Sequence, residues 1–177
     1  MKESPQTKHL EEMLKSSKIV LGGFLGDDKR NITEIIDSDM AQVAKSGITL
    51  EQIATRMQEI TKAAISGLGN WVLIPFEGTQ AITTNVVATT EHTTAKEVRA
   101  ATHELKTRVE EAKGLMICPW PHPGRFAKRV TEVQLLNTNE YIMWSDLNIH
   151  MIREHGFFEG KGSNFRIEPD ELIEIIF

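Results

Sequence analysis

Three titratable side chains recur at every fourth residue in the segment that follows Ser145. Asp146, His150 and Glu154 would lie within about 80° of one another on an α-helix. An imidazole flanked by carboxylates can serve as a general acid or base, and the same nitrogen and oxygen atoms can bind a metal ion. The spacing therefore predicts a catalytic set of Asp146, His150 and Glu154. The alternative is the polar face of an amphipathic helix, which has the same spacing.

The segment Cys-Pro-Trp-Pro-His-Pro-Gly at 118–124 contains the single cysteine of the chain and three alternating prolines. Proline restrains the backbone to an extended form, which lowers the entropic cost of presenting Trp120 and His122 to a ligand. Cys118 and His122 also offer sulfur and nitrogen to a metal, although a zinc site needs three or four ligands. The sequence predicts a metal set of Cys118, His122 and His150. The alternative is an irregular crossing in which Trp120 packs inward.

A further histidine, His155, follows His150 by five residues. On a helix the two side chains would point about 140° apart, which differs from the spacing of four that a paired-histidine zinc face requires. We interpret His155 as a structural residue at the C-terminus of the helix, where the helix dipole favours an imidazole. Any remaining metal ligand would then come from His150, His92 or His103.

A glycine-rich loop at 156–163 is similar in composition to a phosphate-binding loop. It has three residues between its first glycine and the Gly-Lys pair where the Walker pattern has four, so that identification fails. Its backbone amides could still form an anion nest together with basic side chains. The alternative is a tight surface loop anchored by two phenylalanines. The predicted ligand-binding residues are Trp120, His122, Lys161, Ser163 and Arg166.

Two helices at 31–66 form the clearest predicted element. Asn31 and Thr49 each precede a Glu or Gln by three residues, which is the signature of a capping box, and Gly47 separates the helices. The pair has the character of a helix-turn-helix motif. Its second helix, however, balances two cations against two carboxylates, which is unlike a helix that reads DNA.

The rest of the chain alternates between strand-like and helix-like segments. Residues 130–136 and 140–144 predict a hairpin about the turn 137–139. The periodicity predicts a helix at 95–113, although 107–112 could instead lead into a strand. Further helices are predicted at 7–16, 145–155 and 169–177, and further strands at 71–76, 81–90, 115–118 and 165–167.

Together these segments predict an α+β fold with an N-terminal helical hairpin and a small, mostly antiparallel sheet with flanking helices. We expect a single domain over 1–177, in which a helical part, 1–68, packs on a sheet-containing part, 69–177.

Composition narrows the functional classes. The chain has 177 residues, with 25 acidic and 20 basic side chains. Residues 1–90 hold 9 basic and 11 acidic side chains and residues 91–177 hold 11 and 14, so neither half has the basic footprint of a nucleic-acid binder. No apolar run could span a bilayer and the first residues do not form a signal peptide, so we expect a cytoplasmic protein without membrane contact.

Two stretches, 22–30 and 144–163, resemble a family of small bacterial proteins with no known activity. They read Gly-Gly-Phe-Leu-Gly-Asp-Asp-Lys-Arg and Trp-Ser-Asp-Leu-Asn-Ile-His-Met-Ile-Arg-Glu-His-Gly-Phe-Phe-Glu-Gly-Lys-Gly-Ser. The resemblance implies a bacterial cytosolic protein and assigns no ligand or catalytic residue.

Three functional hypotheses follow. The first is a small cytosolic ligand-binding or protein-interaction module, with a small molecule or a second copy of the chain as partner. The second is a hydrolase-like enzyme that uses a histidine–carboxylate site, with or without a metal, around His150. The third is a weak helix-turn-helix regulator that binds nucleic acid through 49–66. The sequence does not identify a cofactor.

Overall fold

The computed structural model describes residues 5–15, 23–75, 104–136, 138 and 140–177, which form five helices and four strands. The predictions for 81–90, 95–103, 137 and 139 lie outside these residues. The helices are α1 Pro5–Lys15, α2 Ile32–Ser46, α3 Leu50–Ser66, α4 Asp146–His155 and α5 Pro169–Ile176. The strands are β1 Val72–Pro75, β2 Glu104–Ile117, β3 Arg125–Leu135 and β4 Tyr141–Ser145.

The predicted helical pair is confirmed as α2 and α3. Glu34 N donates to Asn31 Oδ1 at 2.9 Å, and Asn31 N donates to Glu34 Oε2 at 2.9 Å, which closes the first capping box. A second box at Thr49 begins α3. Between them, Gly47 has a φ of 71°, a left-handed conformation that glycine adopts without strain.

The four strands form one antiparallel sheet in the order β1-β2-β3-β4, so the predicted antiparallel sheet is confirmed. The predicted hairpin is the β3–β4 pair, with Thr131 opposite Trp144. The register between β2 and β3 shifts between Ala112 and Leu115. Beyond this irregularity β2 continues to Ile117 and leads directly into the cysteine segment.

Two secondary-structure predictions are wrong. Residues 104–113 belong to strand β2, not to a helix, and Leu105, Thr107 and Val109 are buried there at every second position. A spacing of four places residues on one face of a strand as well as of a helix, so Leu105 and Val109 fitted both patterns. The predicted strand at 165–167 is a turn-rich segment, in which Ile167 N donates to Phe158 O at 3.3 Å.

Helix α3 packs across the sheet and forms the larger hydrophobic core. Ile53, Met57 and Ile60 of α3 are at most 1% exposed. Trp144 Nε1 donates to Thr61 Oγ1 at 2.9 Å, and Thr61 Oγ1 lies 2.9 Å from Thr131 Oγ1, so the buried polar atoms at this contact have partners. Helix α3 therefore packs on the sheet.

The same packing occupies one of the cations proposed for nucleic-acid contact. Arg56 Nε donates to Ile176 O at 3.2 Å, and its guanidinium also pairs with Glu59. Helix α3 thus presents its apolar face to the sheet and Arg56 to α5. None of the described helices is long and apolar enough to cross a membrane.

A second apolar cluster underlies the site described next. It joins Leu14 of α1 and Ile35 of α2 to Met151 of α4. Cys118 belongs to this cluster, and Trp120 and Phe126 pack against it. The cluster therefore holds the connection between β2 and β3 against helix α4.

Candidate metal centre

The fold brings four metal-binding side chains to one place. Cys118 directly follows β2, His122 lies in the connection to β3, and His150 and His155 lie on α4. Helix α4 is fixed at both ends, by a capping box at Ser145 and by Gly156 in a left-handed conformation. One potential ligand atom from each of these four side chains lies within 4.8 Å of all the others.

The separations are shortest around His122. Its Nε2 lies 3.2 Å from Cys118 Sγ, 3.0 Å from His155 Nε2 and 3.3 Å from His150 Nε2. Cys118 Sγ also lies 3.5 Å from His155 Nε2. Three of these four residues are half-buried, and Cys118 is 4% exposed.

Four of the six edges of this cluster are close to those of a tetrahedron around zinc, and all six are within 4.8 Å. Zinc–nitrogen bonds of roughly 2.0–2.1 Å and zinc–sulfur bonds of roughly 2.3 Å place two nitrogens about 3.3 Å apart, and sulfur and nitrogen about 3.6 Å apart. The nitrogen pairs at His122 measure 3.0 and 3.3 Å, and the two sulfur–nitrogen pairs measure 3.2 and 3.5 Å. Shifts of a few tenths of an ångström would bring these four separations to the values expected around one zinc ion.

Hydrogen bonds alone do not account for the arrangement. His122 Nδ1 lies 3.2 Å from Pro123 O, a partner that requires the hydrogen to be on Nδ1. In the neutral ring Nε2 then has one lone pair, which is directed at one point. Three partners at 3.0–3.3 Å from this nitrogen therefore exceed its hydrogen-bonding capacity. A cation at the centre of the four ligand atoms would satisfy all of them.

Aromatic rings enclose the cluster. Trp120 stacks on His155 with centroids 4.1 Å apart and planes 4° apart, and it also contacts Phe157. Phe126 lies 4.4 Å from the ring of His150. Trp120 therefore packs inward and also lies beside the candidate ligand site, because it stacks on His155, which belongs to the cluster.

Burial affects the protonation of these ligands. Desolvation, followed by the neighbouring His150 and His122, lowers the pKa of His155 to about 4. Desolvation also lowers the pKa of His150 and raises that of the Cys118 thiol. Neutral imidazoles are the form that binds metals, and a bound cation would favour the thiolate.

The structure places His155 differently from the sequence-based interpretation. We expected a structural residue pointing away from His150, yet its Nε2 lies 3.0 Å from His122 Nε2. The rings of His150 and His155 are 5.3 Å apart and meet edge to face. The convergence arises because His122 comes from a separate segment and lies within reach of both rings. His92 and His103 lie outside the described residues.

The predicted catalytic row lies along one cavity, but it is not joined by hydrogen bonds in the described part of the chain. Asp146, His150 and Glu154 all line a cavity of about 300 Å³ between α3, β3 and α4. Asp146 Oδ2 accepts a hydrogen bond from Arg129 Nη1 at 2.8 Å. Burial raises the pKa of Asp146, and the charge of Arg129 opposes this shift.

The polar groups of the loop residues predicted to bind a ligand interact with other parts of the chain. Lys161 N donates to Asp28 Oδ2 at 3.0 Å, and Arg166 Nη2 donates to Asp39 Oδ1 at 2.8 Å. Ser163 Oγ contacts the Glu159 carboxylate and lies 3.3 Å from Gly23 O. The structure therefore joins Trp120 and His122 to the cluster and places Ser163 and Arg166 in an internal polar network, whereas Lys161 is exposed and is bound through its backbone N–H.

Comparisons with protein-family models, curated proteins and solved structures found no match to this chain. The function of the site is therefore inferred from its own geometry.

Proposed function

We propose that this protein binds one divalent transition-metal ion, zinc foremost, through Cys118 Sγ and the Nε2 atoms of His122, His150 and His155. The observation that carries the proposal is the convergence of three ligand atoms on His122 Nε2 at 3.0–3.3 Å. One thiolate and three imidazoles form a mixed set of soft and borderline ligands, which suits zinc better than magnesium or calcium.

The surroundings of the ligands support this choice. A metal-binding histidine usually donates its second N–H to an oxygen, which fixes the ring, and His122 has Pro123 O in that position. Trp120 stacks on His155 and fixes a second ring. These contacts hold two ligand rings before the ion arrives, which lowers the entropic cost of binding it.

The ion would join two elements that are separate in sequence. Cys118 and His122 belong to the connection between β2 and β3, whereas His150 and His155 belong to α4. Four protein ligands would make a rigid surface of the proline-rich segment. Such a surface suits a ligand-binding or protein-interaction module of the bacterial cytosol, which is the class of protein and the location that we expect from the sequence.

The hydrolase-like alternative is favoured by one observation. His150 belongs to the cluster and also lines the cavity that contains Asp146 and Glu154. A metal with three protein ligands and an exchangeable fourth position can activate water or polarise a carbonyl or phosphoryl oxygen. The two proposals share the metal and differ in whether its fourth position exchanges.

The metal content of the untagged protein tests the shared proposal. We expect about one zinc per chain in the wild type after exposure to excess zinc and gel filtration, and loss of that zinc in Cys118→Ser and His122→Ala. His9→Ala removes an exposed histidine outside the cluster and is the matched control, which should keep the metal. Wild-type protein that is folded by circular dichroism but retains no zinc would overturn the proposal.

A further inference from the structure

The cavity beside the cluster is open to solvent and is lined by both charged and apolar side chains. It has a volume of about 300 Å³ and lies between α3, β3 and α4. Its lining includes Lys62, Phe126, Arg129, Asp146, His150 and Glu154. His150 is the one cluster residue in the lining, so the cavity meets the proposed ion on the side where His150 binds.

The four ligands are not equivalent. Cys118 Sγ, His122 Nε2 and His155 Nε2 form a compact triangle with sides of 3.0, 3.2 and 3.5 Å. His150 Nε2 approaches one of the three, His122 Nε2, within hydrogen-bonding distance, at 3.3 Å. Cys118 belongs to the apolar cluster, and two rings that pack against it contact the histidines, Trp120 with His155 and Phe126 with His150. His150 is therefore the ligand that is least constrained by the others.

The charges around the cavity favour an anion. Lys62, Arg129 and Arg153 line it together with two carboxylates, Asp146 and Glu154. The two arginines also pair with Glu111 and Glu51, whose side chains are 56% and 69% exposed, so water screens those carboxylates. Four carboxylates, two of them well exposed, thus surround the three cations, and the charge that would attract an anion is that of the proposed divalent ion together with Lys62.

Two buried atoms of the lining residues, Asp146 Oδ1 and Arg153 Nε, have no hydrogen-bond partner among the described residues, although Arg153 Nε lies 3.0 Å from Glu51 Oε2 in an ion pair. Asp146 Oδ2 accepts from Arg129, but Asp146 Oδ1 is buried and accepts no hydrogen bond there. An unsatisfied buried carboxylate oxygen is costly, so a donor from a bound molecule would be favourable at this position. A phosphate monoanion offers such a donor in its P–OH group and offers its other oxygens to cations.

We infer that His150 is an exchangeable ligand and that the cavity admits a small oxyanion, of the phosphate type, to the fourth position of the metal. This inference rests on the proposed metal site. The oxyanion would bind the ion through one oxygen, approach Lys62 with another and donate its hydroxyl to Asp146 Oδ1. The same position would accept the phosphoryl or carboxylate oxygen of a larger substrate.

Cobalt-substituted protein tests the inference, because the visible absorption of Co²⁺ responds to its ligands. Titration with inorganic phosphate should shift the absorption bands of the wild type to saturation. His150→Ala should bind cobalt within about tenfold of the wild type and should still respond to phosphate. Cys118→Ser should lose at least about 100-fold in cobalt affinity, since it removes a member of the triangle.

A matched pair of lysine variants locates the anion. Lys62→Met should weaken the phosphate response by about threefold to tenfold through loss of one partly screened cation. Lys45→Met on α2 removes an exposed lysine outside the cavity lining and should leave the response unchanged.

The outcomes that contradict the inference differ from those that contradict the metal site. Two results together would contradict the exchangeable position and indicate a closed four-ligand site. In the first, phosphate leaves the absorption bands of the wild type unchanged. In the second, His150→Ala loses as much cobalt affinity as Cys118→Ser. Equal phosphate responses in the two lysine variants would overturn the place assigned to the anion. Failure of the wild type to bind cobalt would overturn the metal site and the inference together.

Discussion

His122 occupies the position on which the account of the metal centre depends. Its Nδ1 faces Pro123 O and its Nε2 faces three potential ligands, so its orientation and its hydrogen position are both fixed by contacts. A ring held in this way is a better ligand than one that must be ordered on binding. The other three ligands are arranged around it.

Removal of His122 should therefore lower zinc affinity by more than removal of an average histidine ligand. Structural zinc sites contribute roughly 10–16 kcal/mol, so the average over four ligands is about 3 kcal/mol, or about 100-fold in affinity. We expect His122→Ala to weaken zinc binding by at least this factor in a competition titration against a chelator. A loss of zinc affinity of less than about tenfold would show that His122 is not a ligand of the ion.

Trp120 provides an optical probe of the same site. Because its ring stacks on His155 at 4.1 Å, a paramagnetic ion bound by His155 would lie close to the indole. We expect Cu²⁺ or Co²⁺ to quench a large part of the tryptophan emission with a one-to-one stoichiometry. Trp120→Phe, which keeps Trp71 and Trp144, should lose most of that quenching. Unchanged quenching in this variant would place the ion elsewhere.

Glu159 gives stability a pH dependence that is separate from the metal. Burial raises its pKa from the ordinary 4.5 to about 7, although Ser163, Asn148 and Arg166 oppose the shift. Between these values the native chain holds a proton that the unfolded chain releases, so this contribution is fully present below pH 4.5 and is lost as pH rises through 7.

The corresponding variant is Glu159→Gln in metal-free protein. The free energy of unfolding of the wild type, relative to this variant, should fall by up to about 1.4 kcal/mol per pH unit between pH 5 and 7. Urea unfolding at several pH values measures this difference. A difference that stays constant, or that grows in favour of the wild type as pH rises, would contradict the raised pKa.

At the scale of elements, helix α4 is the part that organises the site. It carries two of the four ligands, and the Ser145 capping box fixes its first turn through Asn148 N, which donates to Ser145 Oγ at 3.2 Å. Gly156 ends the helix in a left-handed conformation immediately after His155. Both ends are thus specified by local sequence.

Loss of the N-cap should therefore affect stability more than metal binding. Ser145→Ala should lower the free energy of unfolding by about 1 kcal/mol in chemical denaturation. Its zinc affinity should change by less than about tenfold, because His150 and His155 lie in the later turns of the helix. A loss of zinc affinity equal to that of a ligand variant would mean that the cap itself positions the ligands.

The elements also show how far the sequence determines the structure. Capping residues predict α2, α3 and α4 correctly, because their hydrogen bonds are local. The periodicity of 104–113 predicts a helix, with a strand over 107–112 as the alternative, because the buried residues recur at a spacing common to both structures, and the structure shows strand β2. Its identity depends on pairing with β1 and β3, which are distant in sequence.

The candidate site was predicted in part for the same reason. Cys118, His122 and His150 were proposed from residue type and spacing, and the structure brings them together. His155 was set aside because helical geometry within α4 separates it from His150. The missing information was the position of His122, which comes from another segment and lies between the two rings.

At the scale of the whole molecule, the metal would act as a cross-link between two regions. The connection after β2 and helix α4 are about 30 residues apart in sequence and already share the apolar cluster that contains Cys118 and Met151. A ligand that binds the native chain alone stabilises it by mass action, by about 4 kcal/mol at a free concentration 1,000 times its Kd.

Metal removal should therefore lower the thermal stability of the wild type. For a chain of this size, 4 kcal/mol corresponds to a change in Tm of roughly 10 °C. We expect calorimetry to show a decrease of this order on treatment with a chelator, and no decrease in Cys118→Ser. A decrease of equal size in that variant would trace the effect to the chelator or to another site.

The most direct test of the metal centre is the X-ray absorption spectrum of the zinc-loaded protein at the zinc edge. The account predicts one sulfur at about 2.3 Å together with nitrogen neighbours at roughly 2.0–2.1 Å that show imidazole scattering. Cys118→Ser, which should not retain the ion, should give no zinc signal with this sulfur and imidazole scattering. A wild-type spectrum that contains oxygen and nitrogen neighbours without sulfur would contradict the assignment of Cys118, and with it the proposed centre.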